Sequence, residues 1–372
     1  MKLLFIFFEG LPSTVIESQV FLHCKELKKI DINCEIWTFA WNKELYKDSL
    51  KKLDRAKEIS GCEVKVLKGI RPAYPFSEVI NSFILKYSLK KFNYSYDLIH
   101  ARTDYSAAVV SYVTKNFIWD CRGDVEAEFE AKFNSKNKIL IAYKKYKILK
   151  NIERAKKAKK AIFVSNYLKN KLGFDKESFV IGCLSSSDLF YFDENLRKET
   201  RKELGIKSDE KVFIYSGSIN YYQMFDKVVE LLNKFLEFKM IILTPDIQKA
   251  KQYLSNIDKS RYFLLQAKFE DVNKYLNAAD IGVLYREKHP LNMAASPTKF
   301  SEYAMSGLKV IFSDGIGDLK YLSNYIGNRI YENDVVNYRF DKNERIKLAL
   351  KANEILDKKS VLDIYRKIYL EG

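Results

Sequence analysis

No apolar run in the 372 residues approaches the roughly 20 that a membrane-spanning helix needs. The opening MKLLFIFFEG is interrupted by Glu9 and lacks a small-residue cleavage site. It reads as a first β-strand rather than a signal peptide, and the protein is expected in the cytoplasm. Cysteine is sparse. Cys24, Cys34, Cys62, Cys121 and Cys183 are odd in number and form no CxxC pair, so they read as reduced thiols and not as a disulfide framework or zinc site. The three histidines, His23, His100 and His289, are too scattered for metal-ligand spacing, and no protein-held metal is expected. GxGxxG is absent, which argues against a nicotinamide dehydrogenase. Short repeats and low-complexity tracts are also missing. No aromatic-basic interleaving or nucleic-acid-binding module accompanies the charge, so nucleic acid is not an expected partner.

What is present is a soluble globular composition, 47% hydrophobic and 30% charged, in a chain of two-domain length. A net charge of +16 favours anionic partners. Segment 2–8 (KLLFIFF) has the continuous apolar character of a parallel strand buried on both faces. Further strand patterns fall at 34–40, 62–67, 97–101, 117–120, 161–165 and 179–183, with helical stretches between most of them. The pattern restarts at 211–216 and continues through 239–244, 261–265, 280–284 and 308–313. This alternation predicts an α/β chain of two Rossmann-like, doubly wound parallel-sheet domains facing a cleft. The expected divisions are an N-terminal acceptor domain over 1–184, a C-terminal nucleotide-sugar donor domain over 185–355, and a final helix in 356–372 packing back on the first domain. Segment 184–210, polar and poor in strand pattern, reads as a connector with a short helix.

The most informative stretch is 278–314, AADIGVLYREKHPLNMAASPTKFSEYAMSGLKVIFSD. A strand ends at Leu284, a loop carries Arg286 and Lys288, and Ser296–Pro297–Thr298 opens a helix, with Pro297 at its first position and Ser296 or Thr298 at the cap. Free amides and the helix dipole favour a phosphate at such a terminus. Lys299 and Arg286 add formal charge against a diphosphate, and Glu302, one turn on, is placed to accept from ribose hydroxyls. Gly307 closes the helix.

Pro297, Lys299, Glu302, Tyr303, Ala304, Gly307, Leu308, Val310 and Ile311 together resemble the donor-binding run of retaining, two-Rossmann-domain (GT-B) glycosyltransferases of the family 4 class, the glycosyl transferases of group 1. Weaker pieces of the same resemblance are DLIHARTDYSAAVV (97–110), AIFVSNYLKNKL (161–172), SSSDLFYF (185–192) and YSGS (215–218). The resemblance implies transfer, with retention, of a sugar from a UDP- or GDP-linked donor to a glycan or lipid-linked acceptor in bacterial surface polysaccharide or glycoconjugate assembly. No protein-bound cofactor is implied. Donor contacts are then expected from Gly217, Ser218, Arg286, Ser296, Pro297, Thr298, Lys299 and Glu302.

The chain departs from the family pattern at Ala294, where the first of two glutamates is usual, and at Ser218, where an Arg is usual. The downstream Lys–Gly is absent around Tyr222–Met224, and Arg122–Gly123 replaces a His–Gly pair. Arg122, Asp124 and Glu126 follow the strand at 117–120 and should lie at its carboxyl end, where open α/β sheets bind ligand. Arg122 and Asp124 are the candidate catalytic residues; the alternative is an Arg–Asp pair bracing the loop. Glu126, with Gly10 and Ser13 after the first strand, is a candidate for the acceptor. Two other functions fit the architecture: a nucleotide-sugar epimerase, or a non-catalytic glycan- or nucleotide-binding protein. Segment 136–160 carries eleven Lys or Arg residues among apolar ones at helical spacing. It is either a surface helix packed on the core or a contact to an anionic membrane surface.

Overall fold

The computed structural model describes residues 1–11, 14–133 and 137–371. Ser13 and Lys136, both invoked above, lie outside the described residues. The chain divides into two units, one comprising Met1–Gly182 with Val361–Gly372 and the other Cys183–Ser360.

The first unit holds a seven-stranded sheet of β1 (Lys2–Phe7), β2 (Asn33–Ala40), β3 (Glu63–Lys68), β4 (Leu98–Arg102), β5 (Phe117–Cys121), β6 (Lys160–Phe163) and β7 (Ser178–Val180), in the order β3-β2-β1-β4-β5-β6-β7. Every pairing is parallel. Leu3 to Phe8 are all buried, as a strand covered on both faces requires. The order reverses between β1 and β4, the point at which doubly wound sheets open toward ligand at their carboxyl ends. The last helix, Leu362–Tyr369, belongs to this unit. The Lys160 ammonium donates to the carbonyls of Lys367 and Glu371, both at 2.6 Å, and so satisfies the free end of that helix.

The second unit carries β8 (Lys211–Ser216), β9 (Phe238–Leu243), β10 (Tyr262–Leu265), β11 (Ile281–Leu284) and β12 (Lys309–Phe312), ordered β10-β9-β8-β11-β12 and again parallel throughout. Alternate residues of β8 enter two cores. Val212 and Ile214 pack with Leu243, Tyr303 and Val310, while Phe213 and Tyr215 pack with Val228, Ile242 and Val283. Each strand expected from the sequence is present, with ends shifted by at most two residues, except that β7 stops at Val180, three residues short of the expected 183.

Segment 184–210 is more than a connector. Its helix, Glu194–Glu203, buries Arg197 and Arg201 against Asp280 at the start of β11, at 2.6 and 3.6 Å. Asp280 also accepts from the Val212 amide at 2.8 Å.

Candidate functional site

Helix Thr298–Met305 begins differently from the expectation. Pro297, with φ −68° and ψ 123°, is itself the cap residue, Thr298 is the first helical residue, and no side chain caps the helix. The Ser296 hydroxyl is used elsewhere: it accepts from the Cys183 amide at 2.8 Å, and Ser301 donates to the Cys183 carbonyl at 2.7 Å. A tertiary hydrogen bond has taken the cap away. The first amides of the helix therefore keep their partial positive charge for another acceptor.

Lys299 reaches from this helix across the carboxyl end of β8. A Cβ built on Gly217 would lie 2.4 Å from its Cε and 2.6 Å from its Nζ, so only glycine lets the lysine pass so close. Gly217 also holds φ +123°, a conformation that side chains disfavour. Lys299 Nζ donates to Gln223 Oε1 at 3.0 Å and sits 4.4 Å from the Tyr215 ring centroid. Gln223 is held in turn by the Tyr215 hydroxyl. Burial, with the nearby Arg286 guanidinium, pushes the Lys299 ammonium down to about 7. Burial also lowers Arg286. Among the described residues no carboxylate lies within ion-pair distance of either cation.

Glu302, one turn along the same helix, is 8% exposed, and among the described residues its carboxylate accepts no hydrogen bond. Burial pushes its carboxyl up to about 7 against the pull of Lys299 and Lys358. Two under-neutralised cations, uncapped amides and a glycine surface have the chemistry to hold an anion, and the Glu302 carboxylate beside them has that to accept from a hydroxyl.

Tyr303 fixes this helix to the sheet. Its hydroxyl accepts from the Ser216 amide at 2.9 Å, and its ring lies where a Cβ on Gly282 would be, 2.4 Å from Cδ2. Gly307 ends the helix at φ +71°, its Cα against the Arg345 carbonyl. Arg286 is anchored at its backbone by Ser313 and reaches Asn292 Oδ1 at 3.3 Å. Ser218 turns its carbonyl to the Tyr215 hydroxyl at 2.6 Å, and its own hydroxyl accepts from Asn220. Ala294 is fully buried. His289 Nδ1 accepts from the Leu291 amide at 3.2 Å and caps the short helix Pro290–Met293. Gln223 was not legible in advance, since nothing in its sequence context marks it.

In the first unit, Arg122 and Asp124 do not pair with each other. Arg122 contacts Asp120 Oδ1 at 3.3 Å, the Ile181 carbonyl at 3.3 Å and Gln19 Oε1 at 3.2 Å. Asp124 caps helix Val125–Lys132 through the Ala127 amide and pairs with Lys171 at 2.7 Å, and Glu126 shares that lysine at 3.2 Å. Gly10, at φ +67°, packs against Leu45 and Ser49. Asp120 is the centre of a buried network that the sequence reading missed. His100 Nε2 lies 3.2 Å from its Oδ2, and the Tyr369 hydroxyl 2.7 Å from His100 Nδ1. Although burial opposes it, Arg122 and His100 hold the Asp120 carboxyl well below its ordinary range. His100 is lowered by burial and stacks on Phe5 at 4.1 Å. Among the described residues no group of three or more metal-ligating side chains is placed to hold a metal, and no helix is long and apolar enough to cross a membrane.

No protein-family model and no curated protein matches the chain in sequence. Solved structures match along its whole length. HepE from Anabaena in complex with UDP superposes with TM-score 0.75 at 13% identity, covering all of both chains. The same protein with UDP-glucose gives 0.72 at 14%, again over both whole chains. Sucrose-phosphate synthase from Thermosynechococcus elongatus gives 0.71 at 14%, covering both chains fully. A putative UDP-N-acetylglucosamine 2-epimerase from Listeria monocytogenes gives 0.59 at 12%, covering all of this chain and 97% of that one. At such identities the likeness is one of fold, and the fold is the two-domain GT-B architecture.

Proposed function

We propose that the protein is a retaining glycosyltransferase that takes a sugar from a UDP- or GDP-linked donor and passes it to a glycan or lipid-linked acceptor in bacterial surface polysaccharide or glycoconjugate assembly, on the cytoplasmic side of the membrane. The observation that carries this reading is Lys299 lying against Gly217 at an uncapped helix start, with the Glu302 carboxylate buried one turn on and without an ion-pair partner among the described residues.

In this reading the donor diphosphate lies over the amides of Thr298 and Lys299, with the Lys299 ammonium and Arg286 guanidinium against its oxygens and Ser218, Ser296 and Pro297 shaping the turn. Glu302 accepts from hydroxyls of the nucleotide ribose or the sugar. As the glycosidic C–O bond to phosphate breaks, negative charge grows on the leaving oxygen. Fixed cations and helix amides favour that charge more than the ground state. The acceptor oxygen attacks from the same face, and the leaving diphosphate takes its proton. Arg122 and Asp124 are proposed to line the acceptor side, with Glu126 and Gly10 as further acceptor contacts. The paired carboxylates of glycoside hydrolases have no counterpart in this scheme.

The fold is shared with an epimerase, so product analysis decides between the readings. Nucleotide sugars are first screened for thermal stabilisation. The stabilising donor is then incubated with candidate acceptors. Transfer releases nucleoside diphosphate in step with a new glycoside; epimerisation consumes donor with no free diphosphate. K299A and E302A should each weaken donor binding at least tenfold with Tm preserved. Unchanged affinity in both variants removes the proposed site.

A further inference from the structure

Helix Ser77–Lys91 is turned inside out. The residues it buries are Ser77, Glu78, Asn81, Ser82, Leu85 and Ser88, nearly all polar. Four of the polar ones have a polar partner, Ser82 among them, which donates to the Val79 carbonyl at 2.7 Å. Asn81 donates to the Ile70 carbonyl at 2.9 Å and the Tyr105 hydroxyl at 2.7 Å, Ser77 donates to the Pro72 carbonyl at 3.0 Å, and Glu78 pairs with Lys147 at 3.3 Å. Outward point Phe76, Ile80, Phe83 and Tyr87, at 76%, 38%, 63% and 66% exposure. Their spacing of four, three and four places them in one stripe opposite the buried side. Single exposed apolar residues need no account, but a continuous apolar stripe, aromatic at three of its four positions, on a helix that buries its polar side does.

The helix Lys138–Ala155 also leaves large apolar residues exposed. Ala155 is its one buried residue, while Ile139, Tyr146 and Leu149 are 84%, 60% and 55% exposed. Lys147 joins this helix to the start of the first, donating to Ser77 Oγ at 2.8 Å and to the Pro72 carbonyl just before it at 2.6 Å. Around the stripes Lys86, Lys90, Lys91 and Lys138 are exposed. The acids of these helices are already neutralised, Glu78 by Lys147 and Glu153 by Lys150.

We propose that this two-helix face docks on an anionic lipid bilayer, the 76–87 stripe seated at the acyl boundary and the lysine rim on the lipid phosphates. Charge chooses the occupant. A second copy would bring an identical lysine rim against this one, whereas an anionic bilayer offers apolar depth and opposite charge together. The proposal goes beyond sugar transfer and uses no donor-site residue.

The test is co-sedimentation of the full chain with vesicles of phosphatidylglycerol and phosphatidylcholine, compared with phosphatidylcholine alone. The wild type should bind the anionic vesicles at least tenfold more tightly. F76S/F83S/Y87S should lose at least tenfold, and K86Q/K90Q/K91Q about fivefold per lysine. Both variants should keep the wild-type Tm and donor affinity. Y87W should show an emission blue shift on adding anionic vesicles, which reports insertion independently of the serine variant's folding. Wild type that stays in the supernatant overturns the proposal. So do serine-variant binding equal to wild type, a wild-type dimer that the serine variant abolishes, and binding to a single-stranded oligonucleotide as tight as to anionic vesicles.

Discussion

Lys299 and Glu302 stand one turn apart and are displaced toward each other in acidity, the amine down to about 7 and the carboxyl up to about 7. In the free protein each is close to half-charged near neutrality. A bound diphosphate sugar favours the ammonium, returning Lys299 toward its ordinary value near about 10.4, so above pH 7 binding takes up a proton. Ribose or sugar hydroxyls donating to Glu302 favour the carboxylate, so below pH 7 binding releases one. Donor affinity should therefore peak near pH 7 and fall on both sides. On the alkaline side the limiting slope is tenfold, or about 1.4 kcal/mol, per pH unit. Worked from a free value of 7, affinity should drop about twentyfold between pH 7.5 and 9. At pH 8.5 close to one proton should be taken up per donor bound. The assay is calorimetry with UDP-glucose over this range, in buffers of different ionisation enthalpy. K299M should lose the alkaline limb while keeping the acid one, and E302Q the reverse. Because K299M retains any ionisation of the uracil ring, it separates the ligand's titration from the protein's. Wild-type affinity flat from pH 7.5 to 9, or an undiminished alkaline limb in K299M, would refute the assignment.

Gly217→Ala should lower stability by about 1–3 kcal/mol through its φ of +123°. It should also weaken donor binding, because the new methyl occupies the path of Lys299; a drop in Tm with unchanged donor affinity would show that the lysine's position is immaterial. Arg122→Ala leaves the buried Asp120 carboxylate short of a partner and should cost about 3 kcal/mol. R122A/D120N should recover much of that loss in Tm. If turnover recovers as well, Arg122 is a brace and not a substrate contact.

The strands were legible because parallel strands buried on both faces must be short, continuous apolar runs, a pattern that needs no knowledge of neighbours. Helix Thr298–Met305 was legible for the opposite reason, since Pro297, Lys299, Glu302 and Gly307 are polar or conformationally special residues at fixed local spacing. Its cap was misread. Ser296–Pro297–Thr298 has the composition of a capped start, yet Cys183, 113 residues away, takes the Ser296 hydroxyl. Arg197 and Arg201 failed likewise: in a polar stretch they look solvated, and the partner that buries them, Asp280, lies 83 residues on from the first. The acid beside Arg122 is Asp120, two residues back on β5, and not Asp124. Asp120, inside an apolar strand pattern, gave no sign that three cationic or ionisable neighbours converge on it.

Helix Ser77–Lys91 shows the limit of periodicity most plainly. A stripe at 76, 80, 83 and 87 is the spacing from which a core-facing side would be inferred, and the residues between would be assigned to solvent. Periodicity gives the angular separation of two faces and says nothing about which one turns inward. Here side-chain hydrogen bonds decide. Asn81 matches both the donor and the acceptor of Ile70, and Glu78 meets Lys147 as an ion pair, so the polar side is largely satisfied inside, with Glu78 Oε1 held by that charge and by no hydrogen bond. Once that side is satisfied inside, the aromatic side has no place left but the surface. A helix assembled in this way keeps its apolar face available to a second solvent, and the basic rim selects which one.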